Sequence, residues 1–199
     1  SQEAEFVAGP MSLKRQFATS VAWAVVGNGA NNLVSFVVFA IIANVISPTL
    51  LGVAAFAIAL IEIGKTINMA GIPQLLVQRP TWDDDYASMA FFTNVTLASV
   101  LTVFACLVVA PYLEVNFATG SGPALMVLSG TFFVDSIRVV HDSKMKREFK
   151  YRNLAARGTT AGLLSGIVGV WMALTGFGLW ALIFQRVSHS ILMTILTWM

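Results

Sequence analysis

Long stretches of apolar residues, about six in all, constrain the fold of this chain more than any other feature. Each approaches or exceeds the roughly 18–20 residues that an α-helix needs to cross the hydrocarbon core of a bilayer. The predicted spans cover residues 18–46, 51–77, 86–110, 123–140, 155–175 and 178–199. Only 11% of the 199 residues are charged, which is too few to cover the surface of a water-soluble domain. The sequence therefore predicts an all-α membrane protein, a bundle of six transmembrane helices.

The positions of the basic residues predict the orientation of the bundle. Lys14 and Arg15 precede the first span, and Arg79 follows the second. Six further basic residues cluster within residues 144–157, five of them between the fourth span and the fifth and Arg157 just inside the fifth, whereas the other three loops contain no lysine or arginine. Because positively charged loops stay in the cytoplasm, this alternation predicts cytoplasmic ends for the chain. The net charge of +2 gives no reason to expect a nucleic-acid partner.

Turn residues and charge runs predict where several segments end. Pro111 is expected to stop the third span, and Gly176 to Gly178 predict a tight turn before the sixth. The basic stretch 144–157 is typical of a short amphipathic helix at the level of the lipid headgroups. Residues 1–10 show no periodic pattern and are interpreted as an artificial extension ahead of a natural start at Met11.

Charged residues inside the predicted spans require an explanation, because inserting each one costs about 2.5–3.5 kcal/mol. Glu62 and Lys65 lie three residues apart in the second span, as do Asp135 and Arg138 in the fourth. The two residues of each set can form an ion pair on one helix face, which would lower the cost of inserting the helix into the membrane. The charges would then need no functional role. Alternatively, these faces line a hydrated cavity in which the cations attract an anionic substrate and the acids bind a coupling ion.

Polar side chains also occur in the sixth span and in the first. Arg186 has no acidic residue nearby on its own helix. It must therefore pair with an acidic residue of another helix, extend to the membrane–water interface or face an aqueous cavity. His189 is expected to be a hydrogen-bonded structural residue rather than a proton relay. Asn28, Asn31 and Asn32 fall on one stripe, which predicts either hydrogen bonds between helices or a cavity wall that contacts sugar hydroxyls.

Small residues recur in the fifth span, where Gly158, Gly162 and Gly166 form a repeat with four-residue spacing. Such spacing lets another helix approach closely, so we expect a packing face here, with a hinge as the alternative.

The chain contains no HExxH, GxSxG or P-loop motif, and its single cysteine cannot form a disulfide framework. We therefore expect no enzymatic activity, no metal and no other cofactor.

Four strings near the ends of the spans carry a family resemblance. They are ISPTLLGVA (46–54), GIPQLLVQR (71–79), REFKYRNLA (147–155) and GFGLWAL (176–182). Together they resemble the polysaccharide transporter family of the multidrug/oligosaccharidyl-lipid/polysaccharide flippase superfamily. Members of this family have about 12–14 spans in two repeated halves. The resemblance thus implies that the chain is the N-terminal half of such a transporter, with the missing half or another copy of the chain as its partner.

The resemblance also implies a function: export of an undecaprenyl-pyrophosphate-linked oligosaccharide across the bacterial inner membrane, for exopolysaccharide or O-antigen lipopolysaccharide synthesis. Transport would proceed by alternating access. A cavity containing Lys65, Arg138 and Arg186 would offset the charge of the pyrophosphate. Glu62 or Asp135 would bind the coupling ion, a proton or sodium.

Two alternatives to this function stay open. A multidrug antiporter of the same superfamily is disfavoured, because a cavity for cationic drugs needs an excess of acids and the three buried bases outnumber the two buried acids. A non-transporting membrane subunit of a polysaccharide synthase complex is the second alternative. For such a subunit, alanine at Lys65, Arg138 and Arg186 together would leave glycan export intact.

Overall fold

The computed structural model describes residues 10–68, 84–148 and 151–198, and these residues are almost entirely helical. The helices are α1 (Pro10–Val45), α2 (Pro48–Asn68), α3 (Asp84–Phe104), α4 (Ala110–Asn116), α5 (Ser121–Arg147), α6 (Tyr151–Leu174) and α7 (Leu179–Trp198). A π-helical turn, Ala105–Val109, joins α3 to α4. The described part of the chain contains no β-strand, which confirms the predicted all-α fold.

Five helical stretches are long and apolar enough to cross a membrane. They are Val25–Val45, Pro48–Asn68, Asp85–Asn116, Ser121–Arg147 and Leu179–Trp198. The fifth predicted span corresponds to α6, which has the length of a span but carries four glycines among its 24 residues and is not one of the five. The fold is therefore a bundle of membrane helices, and the count of six spans stays a prediction.

The helices pack in a consistent order across the bundle. Helix α1 packs along α6, α6 along α7, and α7 along α5, which also contacts α2 and α3. Small and branched apolar residues fill the contacts between these helices, including Ile42, Ala54, Leu125, Leu128 and Ile183. The opposite faces carry exposed apolar side chains, as expected for surfaces that contact lipid.

Pro111 does not end the third span, contrary to the prediction. The N–H group of Ala110 donates to the carbonyl oxygen of Ala105, and Pro111 occupies the start of α4. Proline lacks an N–H group, and the first residues of a helix have no intrahelical acceptor for theirs, so Pro111 costs no hydrogen bond there. The wider π-helical turn makes this new helix start possible, and the helical run continues to Asn116.

The basic stretch does not form a separate amphipathic helix, and this prediction is wrong for its described residues. Lys144, Lys146 and Arg147 occupy the last turn of α5, and Tyr151 begins α6. Cations near a helix C-terminus interact favourably with the helix dipole, so these residues extend α5 beyond the predicted end at residue 140. Phe149 lies outside the described residues.

Most of the remaining predicted boundaries differ by a few residues or fall outside the described ranges, but α1 begins at Pro10, eight residues before the predicted start of the first span. The tight turn before α7 is confirmed, with φ of 86° at Gly176 and 54° at Gly178, values that favour glycine. The predicted extension at residues 1–10 lies outside the described residues except for Pro10, the first residue of α1. The predicted end of the second span at residue 77 and Met199 also lie outside them.

Candidate functional site

One buried carboxylate joins three helices of the bundle. Asp135 on α5 is 4% exposed, and its Oδ2 lies 2.8 Å from Nζ of Lys65 on α2. Ser190 on α7 donates a hydrogen bond from its Oγ to Oδ1 of the same carboxylate. A buried charge is tolerated only when it is paired and hydrogen-bonded. Asp135 therefore connects α5 to both α2 and α7 and stabilises the packing of these three helices.

Arg138 links this carboxylate to a second one. Its Nε lies 3.3 Å from Asp135 Oδ1, and its Nη1 lies 2.9 Å from Asp142 Oδ2. Thr197 on α7 donates a hydrogen bond from Oγ1 to Asp142 Oδ1 at 3.5 Å. Asp142 is not among the predicted site residues, although its four-residue spacing from Arg138 places the two side chains on one helix face.

The ion pairs expected within single helices are present but do not account for the whole network. Lys65 Nζ lies 3.9 Å from Glu62 Oε1, and the Glu62 side chain is 53% exposed. The contact between Lys65 and Asp135 is shorter by 1.1 Å, the difference between 3.9 and 2.8 Å, and it lies in a more buried position. The principal partner of Lys65 is therefore on another helix.

A cavity of about 330 Å³ lies beside this network, between α1, α5, α6 and α7. This volume is at the lower end of the range for ligand pockets, roughly 300–1,000 Å³. Its lining residues are Gly27, Asn28, Asn31, Arg138, Asp142, Lys146, Tyr151, Leu154, Ala155, Gly158, His189 and Met193. The cavity thus combines two cations, one carboxylate, one imidazole, two amides and the phenol of Tyr151 with apolar residues and glycines.

The three predicted cations do not meet at this cavity. Arg138 lines it, but Lys65 is held by Asp135, and Arg186 is exposed and lies outside the lining, one helical turn from His189. Lys146 supplies the second cation instead. Because α5 continues to Arg147, Lys146 follows Arg138 by two turns on the same side of the helix.

The three asparagines of α1 occupy different environments. Asn28 and Asn31 line the cavity, and Asn32 is exposed outside it. The Oδ1 atom of Asn31 is buried without a hydrogen-bond partner. A buried amide oxygen of this kind can accept a hydrogen bond from a group that enters the cavity.

The glycine repeat of α6 is divided between two environments. A Cβ atom at Gly162 would lie 2.9 Å from Asn31 Oδ1, and one at Gly166 would lie 2.6 Å from Val38 Cγ2, so both glycines pack closely against α1. A Cβ atom at Gly158 would meet no atom within 4 Å, and this residue lines the cavity. Only two members of the predicted packing face are therefore close to a neighbouring helix.

His189 connects the cavity to α6. Its Nδ1 lies 3.5 Å from Ser165 Oγ, and the ring forms part of the cavity wall.

Among the residues that the structure describes, no group of histidine, cysteine, aspartate and glutamate side chains is arranged to hold a metal ion.

Similarity to known proteins extends over most of the chain. Residues 41–199 match the protein family described as "Polysaccharide biosynthesis protein". The chain is 24% identical over 166 residues to the succinoglycan biosynthesis transport protein ExoT of Rhizobium meliloti (strain 1021). This match covers 83% of the chain and 34% of the relative, so the chain spans about a third of that protein's length. No solved structure matches the chain significantly. With its several membrane-spanning helices, the chain is a multi-pass membrane protein that belongs to the polysaccharide biosynthesis protein family.

Proposed function

We propose that this chain forms part of a transporter that moves a lipid-linked oligosaccharide across the bacterial inner membrane. The carrier lipid would be joined to the glycan by a diphosphate, as in undecaprenyl-pyrophosphate-linked repeat units. The family match and the likeness to a protein named as a transport protein of succinoglycan biosynthesis support a role in polysaccharide transport. The composition of the cavity is the observation that carries the choice of substrate.

The cavity wall suits a diphosphate that is joined to a sugar. Arg138 and Lys146 contribute two positive charges against the single negative charge of Asp142, which leaves one net positive charge in the wall. The planar guanidinium group of arginine binds phosphate oxygens through paired N–H donors, and lysine adds a point charge. The amides of Asn28 and Asn31 face the same space and provide donors and acceptors for sugar hydroxyls.

The location of the cavity fits uptake of substrate from the cytoplasmic leaflet. Its charged residues lie near the end of α5, and Tyr151 and Leu154 come from the start of α6. This end of the bundle carries the basic cluster that the positive-inside rule assigns to the cytoplasm. A headgroup would therefore enter from the cytoplasmic leaflet and be released on the opposite side by alternating access.

Coupling to an ion is proposed at the carboxylates beside the cavity. A proton or sodium ion bound at Asp135 would weaken its contact with Lys65 and thus loosen α2 from α5. Glu62, 3.9 Å from Lys65, would then be the alternative partner of the lysine. Such an exchange gives the bundle two charge-paired arrangements, as alternating access requires.

The two alternative functions make different predictions for this cavity. A multidrug antiporter would bind organic cations, which the excess of positive charge in the wall disfavours. A non-transporting subunit of a synthase complex would show no dependence of export on Arg138 or Lys146.

A translocation assay in proteoliposomes tests the proposal. Vesicles contain a fluorescent lipid-diphosphate oligosaccharide, and a membrane-impermeant quencher reports the fraction that changes leaflet. We expect Arg138→Ala combined with Lys146→Ala to reduce the initial rate by about tenfold or more, because charge-assisted hydrogen bonds to phosphate are lost. The matched control is Lys144→Ala combined with Arg152→Ala, which removes two exposed cations outside the cavity lining.

The outcomes of this assay separate the proposals. No translocation by the unmodified chain, together with no binding of the lipid-diphosphate oligosaccharide, would contradict the proposed role in transport. No translocation with retained binding would show that the bundle needs a partner to complete the transporter. Equal rates for the unmodified chain and the cavity variant would contradict the assignment of the substrate to this cavity.

A further inference from the structure

Part of the cavity surface is formed by a glycine at a position with room for a larger residue. Gly158 lines the cavity, and a Cβ atom there would meet no atom within 4 Å. The next two glycines of the repeat differ, because a Cβ at Gly162 or Gly166 would lie 2.9 or 2.6 Å from an atom of α1. Close helix packing thus explains Gly162 and Gly166 but does not explain Gly158.

The helical geometry of α6 accounts for this difference. Gly162 and Gly166 face α1, whereas Ser165, whose Oγ lies 3.5 Å from His189 Nδ1, faces α7. Since successive residues are rotated by about 100° around a helix, Gly158 falls between these two faces. It therefore borders the gap between α1 and α7 in which the cavity lies.

A side chain at position 158 would project into the space between the two walls. One wall carries Asn28 and Asn31 of α1, and the other carries His189 and Met193 of α7. In a cavity of only about 330 Å³, a branched aliphatic side chain would occupy a substantial part of the volume. The backbone of α6 would not need to move, because no neighbouring atom opposes the added Cβ.

We propose that Gly158 is a specificity-determining residue that sets the size of the group admitted beside the diphosphate. The absence of a side chain leaves room for a sugar ring between the amide wall and the imidazole wall. This inference rests on the proposed function for the identity of the ligand, whereas its geometric part is independent of any ligand.

Thiol accessibility tests the geometric part. In the full chain carrying Cys106→Ala in lipid nanodiscs, Gly158→Cys is treated with a small, water-soluble methanethiosulfonate and with a bulky maleimide. Ala161→Cys is the matched control, because Ala161 is 0% exposed and lies one turn away. We expect Gly158→Cys to react with the small reagent at least about tenfold faster than Ala161→Cys, and to react poorly with the bulky one. Equal reaction rates with the small reagent would overturn the placement of Gly158 at the cavity.

Lipid binding tests the specificity. The two probes are undecaprenyl diphosphate and undecaprenyl diphosphate carrying one sugar, and the variants are Gly158→Ala and Gly158→Leu. We expect Gly158→Leu to weaken binding of the sugar-bearing lipid by about tenfold or more and to change binding of the bare diphosphate by less than about twofold. Gly158→Ala should lie between the unmodified chain and Gly158→Leu. Gly52→Leu, at an exposed glycine outside the cavity, should leave the affinity for both lipids unchanged.

Different failures have different meanings. Equal losses for both lipids, or a full effect already with Gly158→Ala, would show that the substitutions alter the helix and would refute a role in size selection. Retained binding of both lipids by Gly158→Leu would refute it as well. If the unmodified chain bound neither lipid, the proposed function itself would be refuted, whatever the thiol reactivity of position 158.

Discussion

Lys65 on α2 and Asp135 on α5 form an ion pair between two helices, with Nζ and Oδ2 2.8 Å apart. The aspartate is 4% exposed and also contacts Arg138 and Ser190. Because a buried carboxylate is stable only with its partners in place, the packing of α2, α5 and α7 depends on the charges of this cluster.

Replacing Lys65 with alanine tests how much this ion pair contributes to the stability of the fold. We expect the free energy of unfolding to fall by about 3 kcal/mol, because Asp135 keeps a buried charge with one partner fewer. Unfolding by sodium dodecyl sulfate, followed by circular dichroism in mixed micelles, measures the change. Combining Lys65→Met with Asp135→Leu should recover most of the loss.

The exposed acid next to Lys65 provides the control for that experiment. Glu62 is 53% exposed and 3.9 Å from the lysine, so Glu62→Gln should change the stability by less than about 0.5 kcal/mol. If Glu62→Gln lowered the free energy of unfolding as much as Lys65→Ala, the ion pair within α2, and not the pair between helices, would be the one that stabilises the fold.

Gly166→Ala should destabilise the contact between α1 and α6. The added Cβ would lie 2.6 Å from Val38 Cγ2, and crowding of this kind costs about 1–3 kcal/mol. Gly130→Ala is the matched control on α5, because a Cβ there meets no atom within 4 Å. If thermal unfolding in nanodiscs gave the same midpoint for both variants, the close contact at Gly166 would be disproved.

Glu114 caps the start of α5, and its removal should lower the melting temperature. Its carboxylate oxygens accept hydrogen bonds from the backbone N–H groups of Gly120 and Gly122 at 2.9 Å. Glu114→Ala leaves these donors without that acceptor, whereas Glu114→Gln keeps one amide oxygen and should lose less. Asn116→Ala, at an exposed residue two positions later, is the control. An unchanged melting temperature for Glu114→Ala would contradict the capping role.

Asp142→Asn should strengthen binding of inorganic diphosphate by about threefold to tenfold. Asp142 is the acidic residue of the cavity lining, and it occupies Nη1 of Arg138 at 2.9 Å. Removing its charge raises the positive potential of the wall and releases a guanidinium donor. Calorimetry in nanodiscs measures the affinity, and high salt should reduce the difference. Glu62→Gln removes the same charge outside the lining, and an equal gain there would disprove a local effect.

The sequence predicts the helices well because the apolar stretches are long and the turn residues are distinct. The turn at Gly176 to Gly178 depends on local backbone preferences alone, so it is predicted correctly. Pro111 is one exception, since the preceding π-helical turn lets it occupy a new helix start. A π-helical turn leaves no clear signature in the sequence pattern.

The candidate site is predicted less completely, because its contacts join residues that are distant in the chain. Spacing along one helix identifies Arg138 with Asp135, but it cannot show that Lys65 reaches Asp135 from another helix. Lys146 belongs to the cavity only because α5 extends past its predicted end. The difference between Gly158 and Gly162 is the presence of neighbouring atoms from another helix, close at Gly162 and absent at Gly158. This difference depends on how α1 and α7 pack against α6, which the spacing of the glycines does not show.

The affinity of the chain in nanodiscs for a lipid-diphosphate oligosaccharide tests the central claim most directly. The claim is that the cavity of Arg138 and Lys146 binds the anionic headgroup. Arg138→Ala combined with Lys146→Ala should raise the dissociation constant by about tenfold to a hundredfold, whereas Lys144→Ala combined with Arg152→Ala should leave it within about threefold. An equal loss in the two double variants would show that general surface charge binds the lipid, and would contradict a specific site in the cavity.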